Sequence, residues 1–184
     1  MRVIALLLAS LALAGCARAF TADGDATAAE EELAVVGASM EPTLHCAEPG
    51  MGCRAEDEDV VVVRDERRIE RREIVAFQVG AKARRQCGAG GLFVKRVIAV
   101  AGDEVSFRDG AVYVNGNRLR ERNVNGPTDP GSATEVDVPA RHVFVMGDNR
   151  AQSCDSRVWG PLAVRRVVGV AFEIQRGARR IPLP

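Results

Sequence analysis

Two dipeptides, Asp109-Gly110 and Asn115-Gly116, stand on either side of Ala111-Val112-Tyr113-Val114. Asp-Gly and Asn-Gly favour tight hairpin turns, because their residues tolerate the positive φ that a two-residue turn demands. The segment between them is too short for a stable helix and long enough for a strand. Much of the chain repeats this theme. Residues 60–63 and 74–79 are β-branched runs bounded by charged segments. Residues 91–100 lead into a turn at Gly102-Asp103, residues 143–146 end at Gly147-Asp148, and residues 167–174 read as a last buried strand. The stretch 123–134, rich in Asn, Gly, Pro and Asp, reads as an exposed loop. Helical periodicity is weak and there is no internal repeat, so the expected fold is mainly β and antiparallel.

Composition sets outer limits. The 184 residues suffice for one ordinary domain or a core with a small subdomain. A hydrophobic content of 47% excludes a wholly disordered chain, and with 4% aromatics the core must use small and β-branched side chains. Lys plus Arg equals Asp plus Glu at 25 each, which argues against nucleic acid as a partner. Of those 25 cations 23 are Arg, leaving Lys82 and Lys95 as the only lysines.

The amino terminus points to export. Met1-Arg2 precedes an apolar run over residues 3–15, and these 13 residues fall short of a membrane-spanning helix but suit the apolar region of a signal. Leu13-Ala14-Gly15-Cys16 resembles the lipobox of bacterial lipoproteins, which makes Cys16 the expected lipid-attachment residue. The competing reading is an uncleaved short anchor running through Ala17. Residues 1–15 are thus read as a signal segment, 16–32 as a tether and 33–184 as the folded domain, extracytoplasmic and held at a membrane. Cys46, Cys53, Cys87 and Cys154 remain, and an even number in an exported chain suggests two disulfides. Cys46 and Cys53 enclose a flexible loop that could close locally, and elimination then pairs Cys87 with Cys154. A zinc site using His45 is disfavoured, since His45 and Cys46 are adjacent and no CxxC is present.

Candidate chemistry centres on Lys95. In an extended segment Phe93, Lys95 and Val97 share one face and Val94, Arg96 and Ile98 the other. The amine therefore has apolar neighbours, and desolvation lowers its pKa toward the range of a general base. The bland alternative is a surface lysine on an edge strand. The nucleophile candidates are few, and Ser39 lies in Gly37-Ala38-Ser39-Met40-Glu41-Pro42-Thr43-Leu44, where Pro42 stiffens the turn. Only His45 and His142 could serve a Ser-His-Asp triad, and His142 reads as a turn residue.

Three segments resemble one known family. Residues 39–44 (SMEPTL) resemble the SMxPTL box of the type I signal peptidases, the Ser/Lys proteases of the S26 family. Residues 95–103 (KRVIAVAGD) resemble the KRVIGLPGD box and depart from it at Ala99 and Ala101. Gly147-Asp148-Asn149-Arg150 with Ser153, Asp155-Ser156-Arg157 and Trp159-Gly160 resembles the GDNRxxSxDSRxWG box, and Tyr113-Val114-Asn115-Gly116 fits the hairpin between the last two. The boxes follow the family's order over residues 35–174.

The resemblance implies a signal-peptidase core of antiparallel sheets with a small β subdomain. It implies Ser39 as nucleophile and Lys95 as general base, with Ser153 hydrogen-bonded to the Lys95 amine. Asp155 with Arg157, and Asp148 with Arg96, would form supporting ion pairs. The Ser39 N–H would serve the oxyanion hole, and the second donor some relatives carry is absent because that place is Gly37. Val35, Val36, Met40, Leu44, Phe93 and Val94 would form shallow apolar substrate pockets. Exported preproteins, bound as extended strands, would be the partners, and no metal or organic cofactor is implied. Two features depart from the family: the lipobox and tether in place of transmembrane helices, and an apparent insertion over residues 45–59. The alternatives are an S26-type peptidase dedicated to one secretion or conjugation substrate, and an inactive lipoprotein that only binds peptides. The related self-cleaving Ser/Lys repressors are disfavoured, since no DNA-binding segment precedes the core.

Overall fold

The structure, a computed structural model, describes residues 29–46, 58–66, 68–124, 126–131 and 134–183. The signal segment, Cys16 and Cys53 lie outside these residues. Twelve strands, two short α-helices and several 3-10 turns are formed by the described chain. The strands are β1 (Glu30–Ala34), β2 (Val60–Arg64), β3 (Ile74–Gln78), β4 (Leu92–Val100), β5 (Glu104–Arg108), β6 (Ala111–Val114), β7 (Asn117–Arg118), β8 (Glu135–Asp137), β9 (His142–Met146), β10 (Leu162–Ala163), β11 (Val167–Arg176) and β12 (Arg179–Pro182). Helix α1 spans Ala81–Cys87 and α2 spans Ser156–Trp159.

All strand pairs are antiparallel. The larger sheet runs β1-β2-β11-β3-β4-β9-β10, with β12 also on β11, and the smaller runs β7-β6-β5-β8. The mainly antiparallel architecture with a small β subdomain is therefore the observed one. Asp109, Gly110, Asn115 and Gly116 all have positive φ, so both dipeptides close hairpins, β5 to β6 and β6 to β7. Strand β4 belongs to the large sheet and passes through the Gly102 turn into β5, which joins the two sheets.

Alternation along the strands fills three apolar clusters. Ile74 and Ala76 of β3 pack with Met40, Leu44 and Val61 on one face of the large sheet. Val75 and Phe77 pack on the other with Val97, Val145, Trp159 and the half-buried Phe93. A third cluster, with Ile98, Val105, Val112 and Phe144, lies between the sheets. Burial of these aliphatic side chains, each contributing about 1.5–3 kcal/mol, is the main favourable term for the fold.

Four sequence expectations change. The stretch read as tether already enters β1 at Glu30, where acidic residues sit on an edge strand opposite β2 and Glu30 pairs with Arg64 at 3.8 Å. Helix α1 lies in a segment without helical periodicity; at 7 residues it is too short to show one, and Gly88 at φ 68 ends it. Part of the 123–134 loop is interior, for Thr128 is 3% exposed and its hydroxyl accepts from Arg150 at 2.6 Å. The last strand extends beyond residue 174 and turns back as β12.

Candidate active site

The serine and lysine candidates meet where a 3-10 turn docks on β4. Ser39 lies in the turn Ala38–Met40, and the burial of Ala38 and Met40 in the first cluster fixes that turn against the sheet. Lys95 is on β4 opposite Val75, on the same face as Phe93 and Val97. Its amine donates to Ser39 Oγ at 2.5 Å and to the Val94 carbonyl at 3.0 Å. Lys95 is 4% exposed, and burial lowers its pKa to about 8, against the opposing pull of Asp155 and Asp148. An appreciable fraction of the amine is therefore neutral near physiological pH.

The segment after β9 holds the serine turn from behind. Asn149 donates its backbone N–H to the Ser39 carbonyl and its side-chain amide to the Ala38 carbonyl, both at 3.1 Å. Gly147 lies so close that an added Cβ would overlap the Ser39 carbonyl and the Ser153 hydroxyl. Asp155, fully buried, accepts from the Gly147 N–H at 3.0 Å and from two guanidinium nitrogens of Arg157 at 2.8 Å. Arg157 also donates to the carbonyls of Asp129, Arg150 and Ser153. Asp148 takes a bidentate pair from Arg96 at 2.8 and 2.7 Å and the Thr43 hydroxyl at 2.5 Å. Strand β4, the serine turn and the post-β9 segment are thereby tied together by buried, charge-assisted hydrogen bonds.

Other candidate residues are placed differently from the sequence reading. The Ser153 hydroxyl is buried but has no hydrogen-bond partner among the described residues, and the Lys95 amine donates to Ser39 and Val94 instead. Val35, Met40 and Leu44 belong to the first core cluster, so among the six pocket candidates only Val36, Phe93 and Val94 reach the surface appreciably. Neither histidine bonds to Ser39: His45 binds Asp59 through its N–H, and His142 Nδ1 lies 3.0 Å from the Ala140 carbonyl. Cys87 is joined to Cys154, which ties the end of α1 to the segment carrying Ser153 and Asp155. Cys46 is buried, while its expected partner Cys53 lies outside the described residues.

Several supporting residues carried no assigned role in the sequence reading: Thr43, Gly147, Asn149, Arg150 and Ser156. Arg150 donates to the Gly147 carbonyl at 2.9 Å and reaches Glu121 and Thr128 of the small subdomain side. The Ser156 hydroxyl accepts from the Val145 N–H at 3.0 Å. Their signal was available as polar and glycine residues inside the matched boxes, but which carbonyl each one meets depends on the fold.

An antiparallel β scaffold thus sets a buried lysine amine on a serine hydroxyl. Residues 1–175 match the family model described as signal peptidase, peptidase S26, and the chain belongs to that family. It is 44% identical over 83 residues to the probable signal peptidase I-1 of Synechocystis sp., a match covering 45% of this chain and 42% of that protein. Over 143 residues it is 34% identical to the probable signal peptidase I-2 of the same organism, covering 75% and 59%. With a signal peptidase I of Bacillus licheniformis it shares 32% identity over 151 residues, covering 77% and 74%. The chain thus spans about half the length of the two Synechocystis relatives.

Proposed function

We propose that this chain is a serine endopeptidase that removes signal peptides from exported preproteins. The observation that carries the reading is the 2.5 Å contact between a buried lysine amine and the Ser39 hydroxyl. Neutral Lys95 takes the Ser39 proton as Oγ attacks the scissile carbonyl, and the resulting ammonium returns it to the leaving amine. An acyl-enzyme remains, and Lys95 then activates a water molecule to hydrolyse it. The Ser39 N–H donates to the developing oxyanion, with Gly37 supplying no side-chain donor. The charged residues around Asp155 and Asp148 position the pair and touch no substrate.

The substrate lies along β4. Strand β9 pairs with β4 only from Arg96 onward, so among the described residues no strand covers that side of Leu92 to Lys95. An extended preprotein segment adds there through main-chain hydrogen bonds, with Val36, Phe93 and Val94 contacting its small side chains. Lipid on Cys16, attached as residues 1–15 are removed, supplies a membrane anchor that keeps the domain on the extracytoplasmic side. No helix among the described residues is long and apolar enough to cross a membrane.

The test uses the full chain in nonionic detergent with a preprotein carrying an Ala-x-Ala site, followed by sequencing of the new amino terminus. One cut directly after that site is expected, with none for Ser39→Ala or Lys95→Arg. Cleavage that survives Lys95→Arg and disappears with His142→Ala would overturn the mechanism.

A further inference from the structure

Beside the inner half of β4 lies a cleft of about 530 Å³ that the peptidase reading leaves unused. Its apolar floor includes Ile98, which is 2% exposed, and the half-buried Leu119. Three exposed arginines, Arg72, Arg120 and Arg122, stand around it. Two of them follow directly on β7. Leu119 packs on the third cluster and Glu121 binds buried Arg150, while Arg120 and Arg122 beside them are left exposed at the rim.

Arg72 arrives by a different route. It adopts φ 78, a left-handed conformation costly for a residue with a side chain. Two hydrogen bonds hold its backbone there: its N–H donates to the Val97 carbonyl at 2.8 Å, and its own carbonyl accepts from Arg96 at 2.7 Å. The remaining charged groups of the cleft are occupied, Arg96 by Asp148 and Glu121 by Arg150. None of the three rim arginines forms an ion pair among the described residues, although eight other ion pairs are formed there. Three exposed cations around one cavity give it a positive potential that favours an anion.

We propose that this cleft binds a phosphate-type oxyanion carried on a short apolar stem. A carboxylate offers two oxygens, too few for three guanidinium forks, whereas a phosphate offers more acceptors and matches bidentate arginine geometry. The floor at Ile98 and Leu119 takes the stem. The proposal does not depend on the role of Ser39 and Lys95. Its chemistry is that of an anionic phospholipid headgroup or of free phosphate.

The experiment titrates the full chain in nonionic detergent with dihexanoyl-phosphatidylglycerol, dihexanoyl-phosphatidylcholine and inorganic phosphate, by calorimetry. The phosphatidylglycerol probe should bind, and Arg120→Ala with Arg122→Ala should weaken it about tenfold or more. Arg180→Ala, outside the cleft, should leave binding unchanged, and the phosphatidylcholine probe should bind far more weakly. Inorganic phosphate binding as tightly, with the same loss in the double variant, would support the oxyanion site and name free phosphate as the source. Equal binding of every probe by wild type and a double variant shown folded by circular dichroism would overturn the proposal. Tighter binding of a hexaglutamate peptide than of either phosphate probe would also overturn it.

Discussion

The backbone N–H of Asn149 donates to the carbonyl of Ser39 at 3.1 Å, joining the serine turn to the segment that follows β9. The two lie 110 residues apart in the chain. Ser39 is therefore held through its own main chain, while its hydroxyl is left to Lys95. The position of Oγ depends on how closely the two backbones approach.

Gly147 permits that approach, so Gly147→Ala should be far more damaging than a single methyl implies. The new Cβ would collide with the Ser39 carbonyl and the Ser153 hydroxyl, one of them rigid backbone. A stability loss of about 1–3 kcal/mol is expected from the overpacking. Peptidase kcat should fall by about a hundredfold, because small displacements of a nucleophile are costly. Urea denaturation and steady-state kinetics on the same preparation measure both effects.

Activity should rise with pH through about 8, the value to which burial lowers the Lys95 amine. In the proposed mechanism the neutral amine is the active form, so kcat/KM should climb as the ammonium loses its proton and level off above that value. Lys95→Arg stays charged at every usable pH and should be inactive across the whole profile. A pH-rate profile for both proteins on one peptide substrate checks this.

The same burial makes Lys95 a stability cost. Its folded pKa of about 8 lies below the unfolded value of 10.5, so between these values the unfolded chain binds more protons. Stability should therefore rise with pH over that window, and the penalty is fully present below it. Lys95→Met should stabilise the protein at pH 7 by up to about 3 kcal/mol while abolishing cleavage. The gain should vanish toward pH 10.5. Denaturation midpoints across that pH range read it directly.

Gly37 invites a gain of function. Its φ of -120° suits any residue, and an added Cβ would meet nothing within 4 Å. Gly37→Ser should fold normally and offer a second donor to the oxyanion. An increase in kcat of about tenfold with little change in KM is expected, smaller than the effect of deleting an established donor.

Cys87 and Cys154 are separated by 67 positions, so their bond closes a long loop in the unfolded chain. Replacing both with Ala should cost about 4 kcal/mol on a chain-entropy basis. Non-reducing peptide mapping should recover this pair, and reductant should lower the denaturation midpoint of the wild type by more than that of the double variant, which keeps the disulfide of Cys46.

Local chemistry made the hairpins and the face of Lys95 legible in the sequence. Asp109-Gly110 and Asn115-Gly116 act through their own φ preferences, and alternation alone puts Phe93, Lys95 and Val97 together. Ser39, by contrast, was an ordinary loop serine until three boxes were read together. What stayed hidden depends on partners far along the chain. Glu30, Glu31 and Glu32 resemble linker composition until Val62, Val63 and Arg64 pair with them. Thr128 looks exposed until Arg150 arrives from beyond the loop. Ser153 lies in the box whose resemblance implies a bond to Lys95, yet its hydroxyl has no partner among the described residues, because the amine is turned to Ser39 and Val94.

The side of β4 that no described strand covers also exposes the protein to itself. A bare strand edge templates any extended chain, and native proteins commonly guard such edges with a charge, a proline or a bulge. The bulge in β4 falls between Val97 and Ala99, past the open stretch, and Lys95, the charged residue of that stretch, is buried against Ser39 and guards nothing. An open active-site edge is thus also a site for self-association, and a peptide occupying it protects the enzyme from aggregation while it inhibits turnover.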